Sequence, residues 1–169
     1  MDYFNQETDR LTLRKLTEAD IPIWTEFFVD NPNARFIGLD LKKDKHELAT
    51  IWLDRQFERY NPNHLGQLAA IEKTTGHFVG LAGILTRELG GHQAFEISYS
   101  MLPNHWGKGY ATELAMHLKL FGRAHNISDK FISIIHKENF PSMHVAIKNG
   151  MTNLHQSTFQ GMEVFIFGD

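Results

Sequence analysis

The chain contains no cysteine. Disulfides, thiolate nucleophiles and cysteine-based zinc sites are therefore excluded, and a reducing compartment is compatible with the sequence. No apolar run approaches the roughly 20 residues needed to span a bilayer. The opening MDYFNQETDR lacks a basic n-region followed by an apolar stretch, so no signal peptide and a cytoplasmic location are expected. Positive charge is not in excess, with 17 Lys and Arg against 20 Asp and Glu. A net charge of −3 argues against a nucleic-acid binder, which usually carries a basic stripe. There are no repeats, no low-complexity tract and no linker, so one soluble domain over residues 1–169 is expected. What the chain does have is apolar mass. It is 42% hydrophobic with 13 Phe and three Trp, ample for a core.

Residues 11–16 alternate apolar and polar with period two and predict a strand. Thr17 is placed to cap a helix carrying Ile21, Trp24, Phe27 and Phe28 on one face, ended by Asn31-Pro32-Asn33. Residues 33–45 read as a loop with at most a short helical turn. A second helix is expected over 45–60, stopped by Asn61-Pro62-Asn63. Strands follow at 65–72 and 78–86, joined by a tight turn at 74–77, and Gly90-Gly91 turns into another strand at 93–102. A helix is expected over 109–125 and a central strand, buried on both faces, over 131–136. Pro141 suits the first turn of a helix ending at Asn149-Gly150. Two last strands, 153–159 and 162–167, join at Gln160-Gly161. The order is βααβββαβαββ, an α+β class.

The stretch Trp106-Gly107-Lys108-Gly109-Tyr110-Ala111-Thr112-Glu113 lies between the 93–102 strand and the 109–125 helix. Its two glycines let the backbone curl tightly and admit a ligand without a Cβ in the way. A helix start offers unpaired N–H groups and about half a positive charge, so a phosphate-bearing ligand suits it. Ten histidines are scattered, with no His-Glu-x-x-His spacing, and are read as surface or core residues; no metal site is expected.

These elements, with that loop in that place, resemble the GNAT superfamily of acetyl-CoA-dependent N-acetyltransferases. Within it the chain looks most like the ribosomal-protein-alanine N-acetyltransferase branch. The likeness runs through Glu7 to Arg14, Thr75 to Gly80, Glu96 to Tyr99, Trp106 to Glu113, and Asn139-Phe140-Pro141-Ser142 followed by Val145, Lys148 and Gly150. It departs at Asn149 and Met151, where an apolar residue and Phe more often flank the glycine, and the tail after Gly150 is short.

The resemblance implies a mixed twisted sheet with helices on both faces, splayed so that acetyl-CoA enters between two strands. It implies donor contacts at Met101, Leu102, Trp106, Gly107, Lys108, Gly109, Tyr110, Ala111, Thr112, Asn139 and Ser142. The amides of Lys108 through Thr112 would meet the pyrophosphate, and those near Met101 and Leu102 the thioester carbonyl. Asn139 would bond the pantetheine amides, or cap its helix. Ser142 would donate to the departing thiolate, or satisfy the first helical turn. Glu96, sharing a strand face with Ser98 and Ser100, is the candidate base, or an ordinary salt-bridged residue; Tyr99 points the other way and is expected in the core. Without cysteine there is no acetyl-cysteine intermediate, which supports direct transfer through a ternary complex. The expected acceptor is a primary amine, a protein or peptide α-amine being one case. A small amine such as a polyamine, amino acid or antibiotic is the competing acceptor, and a non-catalytic acyl-CoA sensor the competing class. Monomer and homodimer are both open.

Overall fold

The computed structural model describes residues 2–169, without the side chains of 62 and 63. Eight strands form one sheet in the order β1-β2-β3-β4-β5-β6-β8-β7. A short β1, Asn5–Glu7, pairs antiparallel with β2, Leu11–Arg14. β1 lies outside the expected order, because three polar residues carry no alternation to read.

The predicted first helix is a single turn of α-helix, α1 (Ile21–Trp24), between two 3₁₀ segments, Glu18–Asp20 and Thr25–Phe28. The aromatic contacts account for the tighter winding. Side chains three apart eclipse in a 3₁₀ turn, and Trp24 stacks on Phe27 with ring centroids 4.6 Å apart. Trp24, Phe27 and Phe28 are buried, as the spacing requires. Residues Pro32–Ile37 form another 3₁₀ segment in the expected loop.

α2, Lys45–Asn63, is capped by Asp44, whose carboxylate accepts from the amides of His46 and Glu47. It continues past the expected stop and turns left-handed only at His64, φ 51°. Tyr60 holds this last stretch, its hydroxyl bonded to the Gln67 carbonyl and receiving the Leu16 amide.

β3 (Gly66–Glu72), β4 (Phe78–Leu89) and β5 (His92–Met101) form an antiparallel meander. Gly83 sits so close to β3 that an added Cβ would lie 2.0 Å from the Gly66 carbonyl oxygen. α3, Tyr110–Ala124, and α4, Phe140–Lys148, cover one sheet face and α1 and α2 the other. Alternation shows this division. Gln67 reaches Trp52 of α2, whereas Ile84, one residue on from Gln67's partner Gly83, approaches Gly122 of α3.

β6, Ile132–His136, pairs with β8, Met162–Gly168, which in turn pairs with the edge strand β7, Thr152–Phe159. The β7–β8 turn uses Gln160 and Gly161 at φ 50° and 76°. β6 is not buried on both faces as expected. Ser133 and Ile135 are buried, but Ile132, Ile134 and His136 are half-buried, because the sheet opens along that strand's β5 side.

Candidate active site

β5 and β6 are neighbours in the sheet and run parallel, yet share a single registered pair, Glu96 with Ile132. One further bond, from the Ser133 hydroxyl to the Ile97 carbonyl at 2.9 Å, ties them. Beyond it the strands part around a cavity of about 650 Å³. Ser98 to Met101 line one wall, and Ile134 to His136, Asn139 and Ser142 line the other.

Strand alternation aims one amide into this gap. The Leu102 N–H donates to the Val79 carbonyl at 2.9 Å, inside the sheet. The preceding N–H, that of Met101, points to the opposite edge of β5, toward the opening. The Met101 carbonyl on that same edge accepts from Trp106 Nε1 at 2.8 Å. Leu102 therefore spends its amide on β4, and its side chain lies in the core.

The loop into α3 turns through Gly107 and Gly109, at φ 76° and 80°. Gly109 is the N-cap, with no side chain to satisfy the helix. The first backbone bond of α3 runs from Glu113 N–H to the Gly109 carbonyl. The amides of Tyr110, Ala111 and Thr112 are thus the orphan donors of the first turn. Trp106, Gly107, Gly109, Tyr110, Ala111 and Thr112 line the cavity; the Lys108 side chain is exposed outside it.

Arg10 fixes the loop from behind. Its Nη1 donates to the Lys108 carbonyl at 2.9 Å, its Nε pairs with Glu113 at 2.6 Å, and its guanidinium lies 4.6 Å from the Tyr110 ring centroid. Burial, with Lys108 beside it, holds the His105 imidazole below its ordinary pKa, so this cavity residue is neutral at neutral pH.

On the opposite wall Asn139 caps α4, its Oδ1 accepting from the Ser142 amide at 3.3 Å. Among the described residues the Ser142 hydroxyl has no hydrogen-bond partner, while the Ser142 carbonyl accepts from the Tyr99 hydroxyl at 2.9 Å. Tyr99 is on the face opposite Glu96, as alternation requires, but it is a half-buried wall of the cavity and not a core side chain. Burial raises its pKa well above the phenol range, so it remains a neutral donor.

Glu96 is buried and lines the cavity from the α2 side. Its carboxylate accepts from Arg87 Nε at 2.6 Å. A polar chain completes this side: Trp52 Nε1 donates to Gln67 Oε1 at 2.8 Å, and Gln67 Nε2 to Ser98 Oγ at 2.9 Å. Reading the sequence placed Trp52 only on or near the buried side of its helix and did not single out Gln67, Arg59 or Arg87. Gln67 was findable, as the sole polar side chain in an otherwise apolar Gly66 to Ile71; the arginines meet only through pairing across β3, β4 and α2. Among the described residues no three His, Asp or Glu side chains converge as a metal-binding group.

The family model described as an acetyltransferase (GNAT) domain matches residues 10–152, most of the chain. The chain belongs to the GNAT acetyltransferase family. GNAT enzymes draw on acetyl-CoA, and this member is an acetyltransferase. It is 30% identical over 146 residues to the uncharacterized protein YkkB of Bacillus subtilis (strain 168), covering 85% of this chain and 83% of that one. It is 25% identical to the uncharacterized N-acetyltransferase YoaA of the same organism, over 85% of this chain and 80% of that one. Among solved structures, an acetyltransferase from Agrobacterium tumefaciens str. C58 superposes with a TM-score of 0.80 at 23% identity, over 98% of this chain and 93% of that one. The RimL ribosomal L7/L12 α-N-protein acetyltransferase bound to coenzyme A superposes at 0.74 with 14% identity, over 96% and 94%. The spermidine N-acetyltransferase of Vibrio cholerae, bound to CoA and spermine, does so at 0.72 with 16% identity, over 95% of each. At such identities these likenesses establish the fold. No helix among the described residues is long and apolar enough to cross a membrane.

Proposed function

We propose that the protein transfers the acetyl group of acetyl-CoA directly to a primary amine, with an α-amine as the preferred acceptor. The observation that carries this reading is the opening of the sheet past Glu96 and Ile132, beside an uncapped helix start. The two features fit the donor together. Orphan amides of Tyr110, Ala111 and Thr112 suit the pyrophosphate, and the gap between β5 and β6 suits the pantetheine arm. The Met101 amide, aimed into that gap, would stabilise the oxyanion as the thioester carbonyl becomes tetrahedral. Trp106, Gly107, Lys108 and Gly109 would shape the turn around the phosphates. Asn139 orders the first turn of α4 by capping it, so its part toward the donor is to hold Ser142 in place.

In the step itself the neutral amine nitrogen attacks the carbonyl carbon, and the carbon–sulfur bond breaks as the C–O double bond re-forms. The amine proton leaves toward Glu96 through a relay of waters, since five strand residues separate Glu96 from the Met101 amide, about 16 Å at the usual strand rise, and the thiolate collects a proton. Ser142, with a free hydroxyl at the wall, would donate to that sulfur. The placement of Glu96 favours an α-amine. Its carboxylate is already bonded to Arg87, so part of its accepting capacity is occupied, and an acceptor that needs little help fits it. An α-amine with pKa near 8 is about a tenth neutral at pH 7, whereas lysine near 10.4 is neutral at about one part in a few thousand. That difference is roughly 3 kcal/mol.

A thiol-release assay over a panel of peptides, amino acids and polyamines tests the proposal. Release with a peptide but not with small amines supports a protein N-terminal acceptor, as the resemblance to the ribosomal-protein branch suggests. Acetyl-CoA binding without release for any amine overturns catalysis in favour of an acyl-CoA sensor.

A further inference from the structure

The α2 side of the cavity, opposite the donor loop, is unevenly charged. Arg55 and Arg59, one helical turn apart on α2, line it together with Arg87 of β4. Among the described residues lining the cavity, Glu96 is the one carboxylate, and it is bonded to Arg87 at 2.6 Å. Neither Arg55 nor Arg59 has a carboxylate within 4.0 Å among the described residues; Arg59 instead donates to the Arg55 carbonyl at 3.3 Å. Three guanidiniums therefore face one carboxylate. Arg59 is half-buried, and burial together with the neighbouring Arg87 charge lowers its pKa, so its charge is held at a cost in the free protein. An unpaired guanidinium in a cavity wall is complementary to an anion that binds there, and its planar fork suits a carboxylate. Arg87 is turned partly toward Phe159, 5.1 Å from the ring centroid, which leaves Arg59 and Arg55 as the open donors.

We propose that the acceptor is an α-amine with a carboxylate close to it, as at the N-terminus of an acidic peptide, and that Arg59 with Arg55 receives that carboxylate. This rests on the acetyltransferase reading above. The amine is then drawn toward Glu96 and the thioester while its anionic group is held against α2. A polyamine brings several positive charges to a wall that already carries an excess of them, and is disfavoured. The chemistry is shared by an acidic peptide and by a small acidic amino acid such as glutamate.

The experiment compares four acceptors with the wild-type protein by thiol release. They are a peptide with glutamates at its second and third positions, the same peptide with glutamines there, free glutamate, and spermidine. The expected result is a kcat/KM about tenfold or more higher for the glutamate peptide than for its glutamine counterpart, with spermidine slowest. Arg59→Gln should shrink that ratio about tenfold through KM for the acidic acceptor, and Arg59→Lys should restore part of it. Free glutamate turning over as well as the peptide supports the same carboxylate recognition from a small-molecule source. Equal rates for the two peptides, or spermidine faster than either, overturn this inference and leave the acetyltransferase reading standing. Donor binding with no release from any acceptor overturns that reading, and this one with it.

Discussion

The Tyr99 hydroxyl on β5 donates to the Ser142 carbonyl on α4 at 2.9 Å, spanning the place where the sheet has come apart. β5 and β6 have a single registered pair, so this bond replaces part of the missing ladder. It sets the distance between the two cavity walls. Tyr99→Phe should cost about 1 kcal/mol in urea unfolding. It should also weaken acetyl-CoA binding by calorimetry, because α4 loses its tie to β5.

Ser142→Ala leaves this bond and the α4 cap in place, since both use the Ser142 backbone. The expected outcome is a fall in kcat of about tenfold or more, with acetyl-CoA affinity and Tm nearly unchanged. An equal loss of kcat and of donor affinity would make the hydroxyl a binding group only.

Arg10 touches the donor loop from outside the cavity, through the Lys108 carbonyl, Glu113 and the Tyr110 ring. Arg10→Ala should raise the acetyl-CoA Kd several-fold while leaving the KM for the amine unchanged. The guanidinium is about half exposed, so water screens the ion pair and the loss of stability should stay under about 1 kcal/mol.

Each of the four tyrosines is held above the ordinary phenol pKa. Burial raises Tyr3, Tyr60 and Tyr99, and the hydrogen bond to the Glu72 carboxylate raises Tyr110. The native protein should therefore show its phenolate absorbance step at higher pH than the protein in urea does. In the unfolded chain these groups release protons near pH 10. The folded chain keeps them, so the unfolded state binds fewer protons and stability falls as pH rises past 10. Denaturation midpoints at pH 9 and pH 11 measure that fall.

Gly83→Ala should destabilise the fold by about 3 kcal/mol or more, since the new methyl meets the Gly66 carbonyl and the Gln67 Cα, both backbone. The Gly90→Ala substitution, where nothing lies within 4 Å, should cost less and only through its left-handed φ of 57°. Urea midpoints for the pair separate crowding from backbone strain.

Local pattern carried much of this molecule. Alternation at Leu11–Arg14, the Gly90-Gly91 turn, the apolar face of Tyr110–Ala124 and the proline start of Phe140–Lys148 each follow from neighbours in sequence. So does the tight turn at Gly107 and Gly109, because glycine has no Cβ to oppose a left-handed φ. Contacts between distant residues were not legible. Trp24 stacking on Phe27 tightened an expected helix into 3₁₀ turns, and the opening beside β6 kept that strand half-buried.

By itself, then, the sequence determined the order of the elements after β1 and the amides that start α3, because hydrogen-bond geometry over a few residues depends mainly on local residue type. Tertiary structure alone decided that β5 and β6 part after Glu96 and Ile132, that Tyr99 faces a cavity, and that Arg55, Arg59 and Arg87 share one wall. Those outcomes depend on how strands pair and which way helices pack across the sheet. Such pairings join residues tens of positions apart, where periodicity carries no signal.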